Sequence, residues 1–196
     1  MKSYTEKRTA WPGMPALILI IALSCFACSQ ESGGRLDIPA RAFDEIKKSG
    51  KLVVLTRNAP TTYYIDRTGS PAGPEYELVS AFAAAIDVEP RFVIKNTVGD
   101  ILKGFEAGEA DIAAAGLAIT EKRSSRYRFS PTYQEITQQA VTRRDRVQPE
   151  SIEELEDLVI TVIANSSYTE RLQKLRAGEY PGLSWHTTDT RDTEQL

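Results

Sequence analysis

The sequence predicts an α/β fold built on mostly parallel sheets and divided into two lobes, and three observations carry that expectation. The run from Lys51 to Arg57 is largely apolar and β-branched, without the in-out alternation of a half-exposed strand. Such a run suits a strand covered on both faces, as in a parallel sheet. Between residues 74 and 115, extended apolar segments then alternate with amphipathic helical ones. That β-α-β-α-β order calls for helices on both faces of the sheet and right-handed crossovers. After about residue 144 the alternation starts again, which marks a second lobe.

Taken in order, residues 38–48 place Ala42 and Ile46, and less regularly Phe43, at helical spacing before Ser49 and Gly50. Gly50 is a helix-ending glycine, and the first strand follows at once. Residues 58–74 are rich in Pro, Thr, Gly and Tyr and predict a loop or a hairpin around Asp66, Arg67, Thr68 and Gly69. Residues 75–86 put Tyr76, Val79, Phe82, Ala83 and Ile86 on one helical face, with residues 87–90 ending the helix at Pro90. A strand is expected over residues 91–95, and Val98, Ile101, Leu102 and Phe105 mark a second amphipathic helix. The segment Gly108-Glu109-Ala110-Asp111 leads into a strand over residues 112–115, and Gly116 closes it in a tight turn. Thr120 opens a helical turn that carries Arg123.

Residues 134–143 are extended and lead out of the first lobe. Ser151 and Glu154 have capping-box spacing at the start of a new helix. Residues 159–163 form a buried strand, and Asn165, Ser166 and Ser167 lead into a helix over residues 168–176 with Leu172 and Leu175 inward. Residues 183–187 form a further strand, after which Thr190 or Asp192 caps a helix that the sequence does not continue. The division is therefore 38–143 for the first lobe and 144–196 for a second. With two strands and one full helix, that second lobe is too small to bury a stable core unaided, and it is expected to be incomplete. The alternative is a short natural lobe leaning on the first.

Composition limits the function classes. The formal net charge is -3 over 196 residues, so no basic field argues for nucleic acid. The cluster Arg143-Arg144-Asp145-Arg146 is flanked by acids and reads as a solvated connector. Both cysteines, Cys25 and Cys28, fall in the N-terminal apolar segment, leaving no disulfide framework or Cys-based metal site for the rest. The lone His186 lies in an alternating strand without partners for catalysis or ligation. No cofactor is indicated.

Lys2, Lys7 and Arg8 precede an apolar run from Met14 to Ala27, and no charge follows until Glu31. This is the layout of an export signal over residues 1–28, followed by a polar, Gly-bearing tether at residues 29–37. Ala27-Cys28-Ser29 resembles the site at which bacterial lipoproteins are cut and acylated, which makes Cys28 the lipidation candidate and the membrane a partner. Cys25 stands where that pattern has Leu, so acylation at Cys25, simple secretion and an uncleaved anchor remain alternatives. By the same resemblance, Ser29 after the cysteine favours the outer membrane of a Gram-negative envelope.

The strand-turn-helix order around Gly116 delivers Arg123 to the mouth of a sheet, where ligands of such folds bind. A guanidinium there can pair bidentately with a small carboxylate. The alternative is a surface arginine pairing with Glu121 or Asp111. Residues 38–196 resemble the type 3 periplasmic solute-binding domain, and more particularly its version in membrane-bound lytic murein transglycosylases of the F type. The resemblance is carried by Phe43 to Val54, Thr61-Thr62-Tyr63-Tyr64 and Gly73-Pro74-Glu75-Tyr76-Glu77-Leu78. It continues in Gly108 to Asp111 with the following strand and turn, Tyr133-Gln134-Glu135 with Gln138-Gln139, and Pro181 to Trp185.

That resemblance implies a sensor module for an amino acid or cell-wall peptide, placed ahead of a lysozyme-like domain that acts on peptidoglycan. Glu-Ser pairs occur at Glu31-Ser32 and Glu150-Ser151, but neither is read as part of such a domain, so no catalytic residue is assigned. The resemblance also implies that Arg123 holds the ligand carboxylate and that the backbone at Gly116 and Ala118 receives its amine. Ala118 replaces the hydroxyl residue common in amino-acid binders. Asn165, Ser166 and Ser167 match the second-lobe turn facing the carboxylate, although such a turn also serves simply as a helix cap. Tyr63 and Tyr64 are candidates for the cleft wall, or for packing at the sheet edge. The alternative function is the substrate-binding lipoprotein of an ABC amino-acid importer.

Overall fold

The computed structural model describes residues 39–189. The export segment with Cys25 and Cys28, the tether, and the expected caps Thr190 and Asp192 lie outside the described residues. The first lobe opens with helix α1 (Phe43–Ser49), whose entry is fixed when the Ala42 N–H donates to the Glu45 carboxylate at 2.8 Å. Gly50 ends it in the left-handed region at φ 66°, as expected for a glycine stop. Strand β1 (Lys51–Arg57) is central to a three-stranded parallel sheet. Strand β4 (Glu89–Lys95) lies on one side and β5 (Ile112–Ala113) on the other.

Leu52, Val54, Leu55 and Thr56 of β1 are all buried, which explains the unbroken apolar run. Alternate residues feed opposite faces of the sheet. Leu52 and Val54 pack with Ile46 of α1 and with Val79 and Ala83 of helix α2 (Pro74–Ala85). On the other face, Leu55 packs with Ile101 of helix α3 (Val98–Glu106) and with Ala110 and Ala115. Arg41 ties α1 to the sheet by donating to both carboxylate oxygens of Asp111, and that same carboxylate accepts the Val53 N–H at 2.7 Å.

Three expectations shift. Strand β4 begins at Glu89 rather than residue 91, and it includes Pro90, which an edge strand tolerates because one side of its ladder is free. Helix α2 buries Glu75, Val79 and Ala83, whereas Phe82 is 46% exposed. The helix is rotated because Glu75 is drawn inward to a backbone N–H and because Gly73 lies against the Thr62 carbonyl. A Cβ at Gly73 would stand 2.4 Å from that oxygen. The ladder of β5 stops at Ala113, although the Ala114 N–H still reaches the Leu55 carbonyl before Gly116 turns the chain at φ 65°.

The expected hairpin forms from β2 (Tyr64–Ile65) and β3 (Pro71–Ala72), paired antiparallel. Asp66 organises its turn by accepting from the N–H groups of Thr68 and Ser70 and from the Thr68 hydroxyl. The bond from Thr68, then that from Ser70, hold its carboxyl below the usual carboxylate range.

After the one-turn helix α4 (Glu121–Ser124), residues 128–148 run without regular secondary structure and are almost wholly exposed. The Arg143–Asp145 ion pair in this stretch is solvated, as the connector reading expects. The second lobe pairs β6 (Val159–Ile163) with β7 (Ser184–Thr188) in parallel, with α5 (Ser167–Ala177) between them in sequence. Its core joins Val162, Leu172 and Leu183, flanked by Leu155, Tyr168 and Trp185. Where an α-helix was expected after Ser151, the chain forms a 3₁₀ helix at Glu153–Asp157. The Ser151 hydroxyl does accept the Glu154 N–H, but the Glu154 carboxylate reaches the N–H of Glu150, so the reciprocal box is not closed. His186 is solvent-facing on β7.

Candidate functional site

Thr120 caps α4 by accepting the Arg123 N–H on its hydroxyl, and this cap fixes where the arginine leaves the backbone. The Arg123 side chain is 4% exposed and crosses to the second lobe. Its Nε donates to Glu170 at 3.1 Å, one terminal nitrogen to the Ala118 carbonyl at 3.3 Å, and the other to the Asn165 carbonyl at 3.1 Å. The Thr120 hydroxyl donates to the second oxygen of Glu170. Arg123 therefore pairs with neither Glu121 nor Asp111: Lys174 takes the first and Arg41 the second.

Three N–H groups of Arg123 are committed, which leaves one on each terminal nitrogen. Arg123, Asn165, Ser166 and Glu170 line a cavity of about 230 Å³, together with Lys103 and Arg126. A larger groove of about 490 Å³ along β4 and α3 holds none of the expected residues. The smaller cavity is the chemically relevant one.

Asn165 sits at φ 57°, a conformation asparagine tolerates, and this aims its carbonyl at Arg123. Ser166 is buried and doubly engaged: it caps α5 by accepting the Thr169 N–H, and it donates to the Ile163 carbonyl at 2.6 Å. Ser167 meets the Gln138 side chain at 3.3 Å. Glu170 lies in the first turn of α5, where the helix dipole favours a carboxylate.

The structure brings Arg123, Ala118, Asn165 and Ser166 into one neighbourhood. Gly116 and the two tyrosines are not among the residues lining that cavity. The Gly116 N–H donates to both oxygens of Glu75 at 2.9 Å, and Tyr133 donates its hydroxyl to the same carboxylate. Tyr63 meets Tyr76 edge to face and Phe92 at a tilt, with centroid separations of 5.8 and 5.3 Å, an arrangement of the packing kind. Tyr64 is on the short strand β2 and 37% exposed. Sequence reasoning missed Glu170 and Glu75 as contacts. Helical periodicity assigns charged residues outward, and only the quoted Gly-Pro-Glu-Tyr-Glu-Leu segment drew attention to Glu75.

Two tyrosines carry acid-base consequences. Burial, then the hydrogen bond to Glu106, pushes the Tyr127 hydroxyl up from 10.0 to about 12. Tyr133, 57% exposed as a residue, moves in the same direction because its hydroxyl end is shielded from water and bonded to Glu75. Below pH 10 folded and unfolded chains both keep these protons. Above it the unfolded chain releases protons that the folded chain retains, so stability falls as pH rises from about 10 to about 12. We expect the urea midpoint to drop across that window and the drop to be shallower in Tyr127→Phe. An unchanged slope in the variant would count against this linkage.

Among the described residues, no group of three or more His, Cys, Asp or Glu could hold a metal ion. No helix of the described residues is long and apolar enough to cross a membrane. Residues 50–179 match the family model of the bacterial extracellular solute-binding proteins, family 3. The chain belongs to that family.

Two relatives extend the comparison. A protein of Alkalilimnicola ehrlichii named membrane-bound lytic murein transglycosylase F 2 is 41% identical over 187 residues, which is 95% of this chain and 40% of that protein. A membrane-bound lytic murein transglycosylase F of Maricaulis maris is 37% identical over 178 residues, 90% of this chain and 38% of its own. The chain thus spans about two fifths of the length of these relatives.

Among solved structures, holo ArgBP from T. maritima matches with a TM-score of 0.64 and 27% identity, covering 76% of this chain and 64% of that one. An ancestral arginine-binding protein bound to arginine matches with a TM-score of 0.61 and 26% identity, over 72% and 62% of the two chains. The family 3 fold thus accounts for the two-lobed α/β architecture and its parallel sheets.

Proposed function

We propose that this chain is the solute-binding module of a cell-envelope lytic murein transglycosylase, and that it senses an amino acid or a cell-wall peptide. The observation that carries the reading is Arg123, a buried guanidinium bridging the two lobes beside a small cavity, with an N–H left on each terminal nitrogen. A ligand carboxylate would take those N–H groups, and Asn165 and Ser166 would form the second-lobe side of the same space. The amine end would approach the chain at Gly116 and Ala118, with Tyr63, Tyr64 and Ser167 at the rim.

The lipid anchor at Cys28, residence at the outer membrane, and action on peptidoglycan through a further domain belong to this proposal. The transglycosylase relatives, named as membrane-bound, support it. An importer's substrate receptor is the second reading, favoured by the likeness to arginine-binding proteins. The higher identity to the transglycosylases argues for the first.

Calorimetry with a panel of free amino acids and muropeptides tests the site. Arg123→Lys keeps the charge beside Glu170 but loses the planar fork. It should weaken binding of the best ligand by roughly tenfold or more, the value of one charge-assisted hydrogen bond. Equal binding by the variant and the native chain would remove Arg123 from the site.

A further inference from the structure

Arg57 is the last residue of β1, at the carboxyl end of the central strand. Among the described residues its guanidinium makes no ion pair, and its Nε is sealed from solvent without a hydrogen-bond partner. Three other arginines of the first lobe are matched, Arg41 by Asp111, Arg123 by Glu170 and Arg126 by Glu106, whereas Arg91 on β4 also makes no ion pair among the described residues but is solvent-exposed. A sequestered cationic donor left unmade is costly, so the observation asks for an anion that is not part of the chain.

The surroundings fix where that anion would lie. A terminal nitrogen of Arg57 is 3.7 Å from the point a Cβ on Gly116 would occupy, and the Thr62 methyl is 3.4 Å from the same point. The absent Cβ therefore leaves about a methyl group's width beside the guanidinium, bounded on its other side by the Thr62 methyl. Glu75, the nearest described carboxylate to this turn, is held by the Gly116 N–H and the Tyr133 hydroxyl and forms no ion pair with Arg57. Ala118, whose carbonyl touches Arg123, is two residues from Gly116, no more than about 7 Å of extended chain. The two guanidinium groups thus flank one short stretch of backbone.

We infer that Arg57 holds a second anionic group of the ligand, so that the module takes a small peptide or amino acid bearing two carboxylates. This rests on the binding-module reading above and names its ligand class. Arg123 is already balanced by Glu170, whereas Arg57 makes no ion pair among the described residues and keeps a sealed, unpartnered Nε, and it sets the preference for the extra carboxylate.

Calorimetry on the full chain with alanyl-glutamate and alanyl-glutamine, which differ by a carboxylate against an amide, tests this directly. The native chain should favour alanyl-glutamate by roughly tenfold or more. Arg57→Gln should erase that preference, and Arg57→Lys should restore part of it. A preference that survives in Arg57→Gln overturns the inference. So does equal binding of the two dipeptides by the native chain, a result that needs no variant to fold. If neither dipeptide binds but a ligand with a single carboxylate does, the Arg57 assignment fails and the binding-module reading stands. If nothing binds, both fail.

Discussion

Alanine at Arg123 is expected to lower the unfolding free energy by about 3–5 kcal/mol, the usual consequence of removing one partner of a buried ion pair. The side chain is 4% exposed and Glu170 only 17%, so water replaces the lost partner only in part. The Ala118 and Asn165 carbonyls would lose a donor at the same time. Exchanging both partners for apolar residues of similar volume, Arg123→Met with Glu170→Leu, should cost far less than the sum of the single changes. A urea double-mutant cycle reads the coupling. Simple additivity of the two changes would show that the pair acts as two independent side chains.

Leu55→Ala should destabilise the first lobe by about 3–4 kcal/mol through lost burial and an unfilled cavity. Leu55 is 0% exposed on the central strand, where it meets Ile101, Ala110 and Ala115. Two of those three neighbours are alanines on short, constrained segments, so little can collapse into the space. Urea denaturation followed by far-ultraviolet circular dichroism measures the loss. A change below about 1 kcal/mol would mean the site relaxes as freely as a surface position.

Much of the architecture was legible because strand β1 reads so plainly. Residues 51–57 read as one strand on the apolar and β-branched run from Leu52 to Thr56, and the observed strand has the same limits. The Asp66 to Gly69 turn was equally clear, since an Asx turn is decided by its own side chain. Thr120 and Ser166 cap helices where local sequence places them.

What failed to show were contacts made across distance. Glu170 reads as an ordinary acid in a first helical turn, and only the meeting of two lobes gives it Arg123. Glu75 reads as a helix-surface charge until the Gly116 N–H turns it inward, and Phe82 is left outside as a result. Arg57 was legible as a strand-end residue, but the want of a partner is a property of the folded surroundings alone.

Among the described residues, the three apolar clusters each belong to one lobe, and the side-chain contacts that join the lobes are polar: Arg123 with Glu170, Lys174 with Glu121, Gln138 with Ser167. Parting them would therefore uncover groups that the aqueous phase solvates readily, without opening an oily seam. An articulation of that kind responds to whatever ions enter it. Dissolved salt would loosen the exposed lysine contact long before it reached the sheltered guanidinium.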